Sequence, residues 1–303
     1  MRLRGAGAVA LGALLVATGC GEECGVPGEG WLAYVSHSGR GYDLRLVRAD
    51  GTCDRAARES GAAELSPSIS VRGSVLVYWR SAEPSNELVI VELRSGRERV
   101  LRYEGLVVEQ PEVSPDGEWI VFEGIVPPGR ADVYVVPARG GVPVPLAADP
   151  ADDGWPSWSA DGRTVYFSSA RSGKNQVWRV GIDGSGLEQV SSDETSALTC
   201  GASACAVEGR PTAAPGGRHI AFARATPSQE GAVVVRDLET GEERLLADAP
   251  EAEPSWSPDG EFIAVMNTSF GDPEVIVRDA RTGVLVSRVT TSPGIDGAPS
   301  WAR

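Results

Sequence analysis

One heptapeptide, Pro254-Ser255-Trp256-Ser257-Pro258-Asp259-Gly260, recurs with variations along the whole chain. Its best copies begin at Pro111 and Pro156, weaker ones at Pro67 and Pro211, and a truncated one is Pro299-Ser300-Trp301-Ala302-Arg303. The leading prolines are spaced by 44, 45, 55, 43 and 45 residues. A period of this length, with several short strands per unit, specifies a β-propeller.

Each unit reads as four antiparallel strands, a to d. Strand a is expected to follow the leading proline, and Asp-Gly or its equivalent then makes a tight turn, because that pair tolerates positive φ. Strand b follows at a fixed offset, as in Trp119-Ile120-Val121-Phe122, Thr164-Val165-Tyr166-Phe167 and Phe262-Ile263-Ala264-Val265. Strand c is rich in β-branched and aromatic residues, as in Glu87-Leu88-Val89-Ile90-Val91. Strand d is more polar, as an outer edge should be.

The N-terminal Trp31-Leu32-Ala33-Tyr34 matches strand b, and Pro299-Ser300-Trp301 matches strand a alone. The two ends therefore complete one blade between them. The expected fold is all-β, a six-bladed β-propeller closed by the C-terminal strand a against the N-terminal strands b to d, over residues 30–303. Trp158, Trp256 and Trp301 share one repeat position with Ile69, Val113 and Ala213, so that position is read as packing between blades. Asp116, Asp161 and Asp259 sit in the hairpin turns and are read as structural.

The repeated Trp-Ser-Pro-Asp-Gly core resembles the TolB-type propeller repeat, a relative of the WD-type repeats. The resemblance covers nearly everything after residue 29. It implies the fold and a binding role, without the N-terminal α/β domain of TolB and without TolB's own partner set.

Before the repeats, Arg2 and Arg4 precede an apolar run from Ala8 to Ala17 and then Thr18-Gly19-Cys20. This is the pattern of a secretory signal, too short to span a bilayer. Its end resembles the bacterial lipoprotein box, which implies removal of residues 1–19 and lipidation of Cys20; cleavage with Cys20 left free is the alternative. Residues 20–29 then form a short tether. A monomer on the periplasm-facing side of the outer membrane is expected, attached to the lipid bilayer through Cys20.

Of the other cysteines, Cys24, Cys53, Cys200 and Cys205, an even number remains in an exported chain, which favours two disulfides. Three pairings exist. The short Cys200–Cys205 loop favours local pairing, and Cys24 with Cys53 follows. No Cys-x-x-Cys pair exists and His37 and His219 stand apart, so no metal site is assigned.

Without Arg2 and Arg4, 26 basic residues face 42 acidic ones, and nucleic acid would be repelled. Several charged residues lie just before leading prolines: Glu109, Asp152, Asp153, Glu208, Glu251, Glu253 and Asp296, with Arg210 as a lone cation. They are expected to ring the top mouth of the channel, the end bearing the b–c and d–a connections. Such a rim is either merely solvated or a site for a cationic group, a basic peptide or a divalent cation such as calcium.

No Gly-x-Ser-x-Gly elbow and no phosphate-binding Gly loop occurs. The expected function is therefore a non-catalytic propeller that binds an envelope protein or peptide, with no required cofactor. A carbohydrate-active or other hydrolytic enzyme using top-face carboxylates is the alternative, and a purely structural envelope lipoprotein is a third.

Overall fold

The computed structural model describes residues 24–302 except 26, 28–29, 38–40, 59–61, 71–73, 84–85, 192–207, 227–228 and 292. The expected signal peptide, Cys20, Cys200 and Cys205 lie outside the described residues. Among the described residues, twenty-four strands form six four-stranded antiparallel sheets. Blade 1 is composite: β24 (Ile295–Trp301) pairs with β1 (Trp31–His37), followed by β2 (Tyr42–Arg48) and β3 (Arg55–Arg58). Blade 2 runs from β4 (Glu64–Ile69), blade 3 from β8 (Val107–Val113), blade 4 from β12 (Asp153–Trp158), blade 5 from β16 (Glu208–Ala213) and blade 6 from β20 (Glu251–Trp256). The ring closes as the two chain ends lead one to expect: Leu32 faces Trp301 and Ala33 faces Ser300. No helix among the described residues is long and apolar enough to cross a membrane.

The core lies between blades, because strand residues alternate between the two faces of each sheet. On β5 (Val75–Arg80), Leu76 and Tyr78 pack with Ala33, Leu44 and Leu46 of blade 1, whereas Val77 packs with Val108, Ile120 and Phe122 of blade 3. Trp158, Trp256 and Trp301 are buried in such seams. The Trp158 Nε1–H donates to the Glu112 carbonyl (3.1 Å) and that of Trp256 to the Thr212 carbonyl (3.1 Å), each in the preceding blade.

The a–b turns repeat one hydrogen-bond pattern. The Ser114 hydroxyl donates to Asp116 Oδ1 (2.5 Å), which also accepts from the Glu118 N–H (3.0 Å). Ser159 with Asp161 and Ser257 with Asp259 do the same. The following Gly117, Gly162 and Gly260 have φ of 78°, 67° and 74°, where a Cβ would be strained. These aspartates are turn-formers.

Strand a differs from expectation in one respect: it begins before the leading proline. β4 starts three residues ahead of Pro67, and β12 three ahead of Pro156. Each strand a carries a bulge at this point, seen as register shifts between Leu65 and Ser68, Glu109 and Glu112, Gly154 and Ser157, Gly209 and Thr212, and Ala252 and Ser255. Proline has no N–H for the ladder, and a bulge is where an inner strand tolerates it.

Candidate functional site

The bulges aim one residue per blade at the channel. The residue before each leading proline is Ser66, Gln110, Trp155, Arg210, Glu253 or Ala298, and all six have φ between 48° and 58°. None is glycine, and the only other non-glycine residue at positive φ among those described is Cys53. With the leading prolines they line a cavity of about 110 Å³ at the channel mouth. Deeper in, the residues after the prolines stitch neighbouring strands together. Ser300 Oγ accepts from the Ile69 N–H (3.1 Å), Ser68 Oγ from Val113 (3.1 Å), Glu112 Oε1 from Trp158 (3.2 Å) and Ser255 Oγ from Trp301 (3.0 Å).

Five of the six mouth residues touch one another, and the sixth, Trp155, meets a carboxylate of a neighbouring strand b. Ser66 Oγ donates to Gln110 Oε1 (2.9 Å). Arg210 pairs with Glu253 (3.1 Å), and Glu253 also accepts from the Ala298 N–H. The Trp155 N–H donates to Glu123 Oε2 (3.3 Å), on β9 (Trp119–Ile125) of the preceding blade. Glu123 stands directly opposite Glu109 across the β8–β9 ladder. Burial, reinforced by the charges of Glu109 and Asp152 and opposed by the Trp155 N–H and Arg210, pushes the Glu123 carboxyl up to about 7. Burial also raises Glu109.

The structure divides the expected acidic rim. Asp153, Glu251 and Asp296 are buried, because strand a already includes them and turns them into the blade seams. Asp153 pairs with the buried Arg171 (2.5 Å), which also donates to the Ala147 carbonyl (2.7 Å). Burial nevertheless outweighs that pairing and pushes Asp153 up to about 6. Glu251 accepts from Asn267 Nδ2 (3.0 Å) and Arg278 Nε (2.5 Å). Asp296 is raised by burial against the opposing hydroxyls of Ser36 and Thr290. Asp152 is exposed and pairs with Arg130 (3.0 Å). Glu208 begins β16, its backbone opposite Arg224. Of the expected set, Arg210 and Glu253 line the cavity and Glu109 directly precedes the lining residue Gln110; Arg210 is paired rather than a lone cation. Sequence reading missed Ser66, Gln110, Trp155, Ala298 and Glu123. Their signal was the column immediately before the prolines, and for Glu123 the continuation of strand b beyond Phe122.

Among the described residues, no group of three or more His, Cys, Asp or Glu side chains is arranged to hold a metal ion. Cys24 and Cys53 are joined by a disulfide, with Cα atoms 5.6 Å apart.

The sequence profile of the TolB beta propeller domain matches residues 29–208. An uncharacterized protein of Agrobacterium fabrum (strain C58) is 28% identical over 163 residues, 50% of this chain and 52% of its own length. The Tol-Pal system protein TolB of Bordetella pertussis (strain Tohama I) is 30% identical over 156 residues, 50% of this chain and 35% of its own. The chain thus spans about half or less of the length of these relatives. The crystal structure of TolB from Acinetobacter baumannii superposes with a TM-score of 0.74 at 21% identity, over 92% of this chain and 68% of that one, a likeness of fold. By its sequence, this chain belongs to the TolB β-propeller domain family.

Proposed function

We propose that this chain is a non-catalytic, exported, lipid-anchored propeller of the bacterial cell envelope that binds an envelope protein or peptide at its channel mouth. In this reading residues 1–19 are a signal peptide, Cys20 carries the lipid and residues 20–29 are the tether. The protein is a monomer on the periplasm-facing side of the outer membrane and needs no cofactor. One observation carries the binding role: six non-glycine residues at φ near +50° line one cavity. A side chain in that conformation costs on the order of 1 kcal/mol or more, and glycine would serve the geometry with less strain. Retained strain at a concave, chemically mixed surface is the mark of a site. A Tol-Pal system protein among the relatives supports an envelope role.

The test is capture from envelope extracts by residues 21–303, compared between wild type and Trp155→Gly. Capture of a discrete protein by the wild type alone, with the melting temperature of the variant unchanged or higher, is expected. Equal capture by both, or none by either, overturns the reading.

The Glu109–Glu123 pair favours a second reading, hydrolysis by paired carboxylates. Turnover of chromogenic glycosides that disappears in Glu109→Gln and in Glu123→Gln would establish it.

A further inference from the structure

The channel mouth is chemically uneven around its circumference. On one side, Arg210 and Glu253 neutralise each other. On the other, Trp155 and Gln110 line the cavity next to a pair of glutamates that are direct cross-strand neighbours. Like charges in that arrangement destabilise a sheet. The fold nevertheless holds the pair in place. The Glu123 carboxylate lies over Gly154, where a Cβ would stand 2.4 Å from Oε2, and it accepts the N–H of Trp155. The Trp155 indole is in turn laid across Gly209 of the next blade. No ion pair or side-chain hydrogen bond among the described residues engages the Glu109 carboxylate. Arg130 is committed to Asp152, and Arg210 to Glu253. The sector thus combines a fixed aromatic wall of a cavity with two carboxylates that no cation among the described residues pairs directly, Arg210 acting on Glu123 only from its pairing with Glu253.

We propose that this sector seats a basic side chain, lysine or arginine, projected by an extended segment of the partner, with its cation between the Trp155 indole and the Glu109–Glu123 carboxylates. The inference rests on the protein-binding role proposed above and names the group that is recognised. A cation within about 6 Å of an indole face is attracted by the ring quadrupole, and its charge-assisted hydrogen bonds to carboxylate are stronger than neutral ones. The same cation relieves the repulsion between the two glutamates. The formal charge of −14 favours approach of a basic segment over an acidic one. The groups facing Glu123 are Glu109 on β8, Asp152 just before β12, and Arg210 on β16. Protonation of Glu123 below about pH 7 removes part of the attraction, so binding weakens on acidification.

The test follows the indole N–H signal of Trp155 by NMR in the propeller, assigned by its loss in Trp155→Phe. Nα-acetyl-arginine amide should shift that signal saturably. Nα-acetyl-norleucine amide should bind at least tenfold more weakly. Glu109→Gln combined with Glu123→Gln should weaken the arginine probe at least tenfold while the other indole signals stay in place. If the double variant does not fold, Glu109→Gln alone should weaken it severalfold. Affinity should be lower at pH 5.5 than at pH 8. Equal response to the norleucine probe, full affinity in the glutamine variants, or preference for Nα-acetyl-glutamate amide overturns the inference. Capture of an envelope protein that depends on Trp155, without any arginine response, leaves the binding role standing and this inference refuted.

Discussion

The indole of Trp155 lies across Gly209: a Cβ built on that glycine would stand 2.4 Å from Cζ3 of the ring. A tryptophan held at φ 49° is thus seated on a glycine of the next blade. Gly209→Ala should push the indole off its seat, cost about 1–3 kcal/mol by overpacking, and weaken binding at the mouth. Ala298 occupies the equivalent strained position with only a methyl side chain, at φ 48°. Ala298→Gly should therefore stabilise the fold, by up to about 1 kcal/mol. Urea unfolding of both variants checks the pair. A loss of stability in Ala298→Gly would remove strain from the account of the mouth.

Asp153, at the start of β12, and Arg171 form an enclosed ion pair, with side-chain exposures of 0% and 8%. Arg171 also stands over the rings of Phe167 and Trp178, at 5.3 and 5.2 Å. Arg171→Ala leaves Asp153 buried without its cation and should cost about 3–5 kcal/mol. Removing both charges, with Asp153→Asn and Arg171→Met, should recover part of that loss. A single variant as stable as wild type would show that the pair does not hold the seam.

The ring was legible because its determinants are local and periodic. Proline, Asp-Gly turns and β-branched runs recur at fixed offsets, and the unmatched ends Trp31-Leu32-Ala33-Tyr34 and Pro299-Ser300-Trp301 are complementary. The mouth was not legible, because the bulge before each proline reverses which residues face the channel. Asp153 and Asp296 look like loop acids in sequence but lie inside strand a. Trp155 looks like an ordinary residue next to a proline. Glu123 gains its meaning only from Trp155 and Gly154 in another blade. Contacts of this kind leave no periodic trace.

Stability should rise as the solution is acidified from pH 8 towards pH 5. Burial places Glu123 at about 7 and Asp153 at about 6, above the carboxylate range of an unfolded chain near 4. Each binds its proton more tightly when folded. The folded state is therefore favoured progressively as pH falls through 7 and 6, and that gain is lost as pH rises. Asp116 and Asp161 behave oppositely: the Ser114 and Ser159 hydroxyls hold them low, and their contribution is lost only below about pH 4. A maximum between about pH 4 and 6 follows. Melting temperatures across pH 4–8 check it, and Glu123→Gln should flatten the part nearest pH 7. A melting temperature that climbs from pH 5 to pH 8 contradicts the assignment.

The disulfide between Cys24 and Cys53 fixes the end of the ring to which the segment before β1 is tied. Strand a runs from the mouth to the a–b turn, so the turns lie at the opposite end of the ring. Cys53 sits in the turn between β2 and β3, at that opposite end. The bond ties the segment before β1 to this end, where Arg55 also donates to the Gly25 carbonyl (3.1 Å). It closes a loop over a sequence separation of 29 residues, and on loop-closure entropy stabilises blade 1 by about 3 kcal/mol. If Cys20 carries the proposed lipid, the free tether is only the stretch up to Cys24, at most about 15 Å long. The turn face is then held near the bilayer, and the mouth points away from it. Single cysteines at Asp161, in an a–b turn, and at Glu253, in the mouth, should label differently in membrane-bound protein, Glu253→Cys faster than Asp161→Cys. Replacing Cys24 and Cys53 by serine should lower the melting temperature and reduce that difference, because the tether lengthens. Metabolic labelling with a fatty acid, lost in Cys20→Ala, checks the anchor itself. Faster labelling of Asp161→Cys with the anchor intact would reverse the orientation.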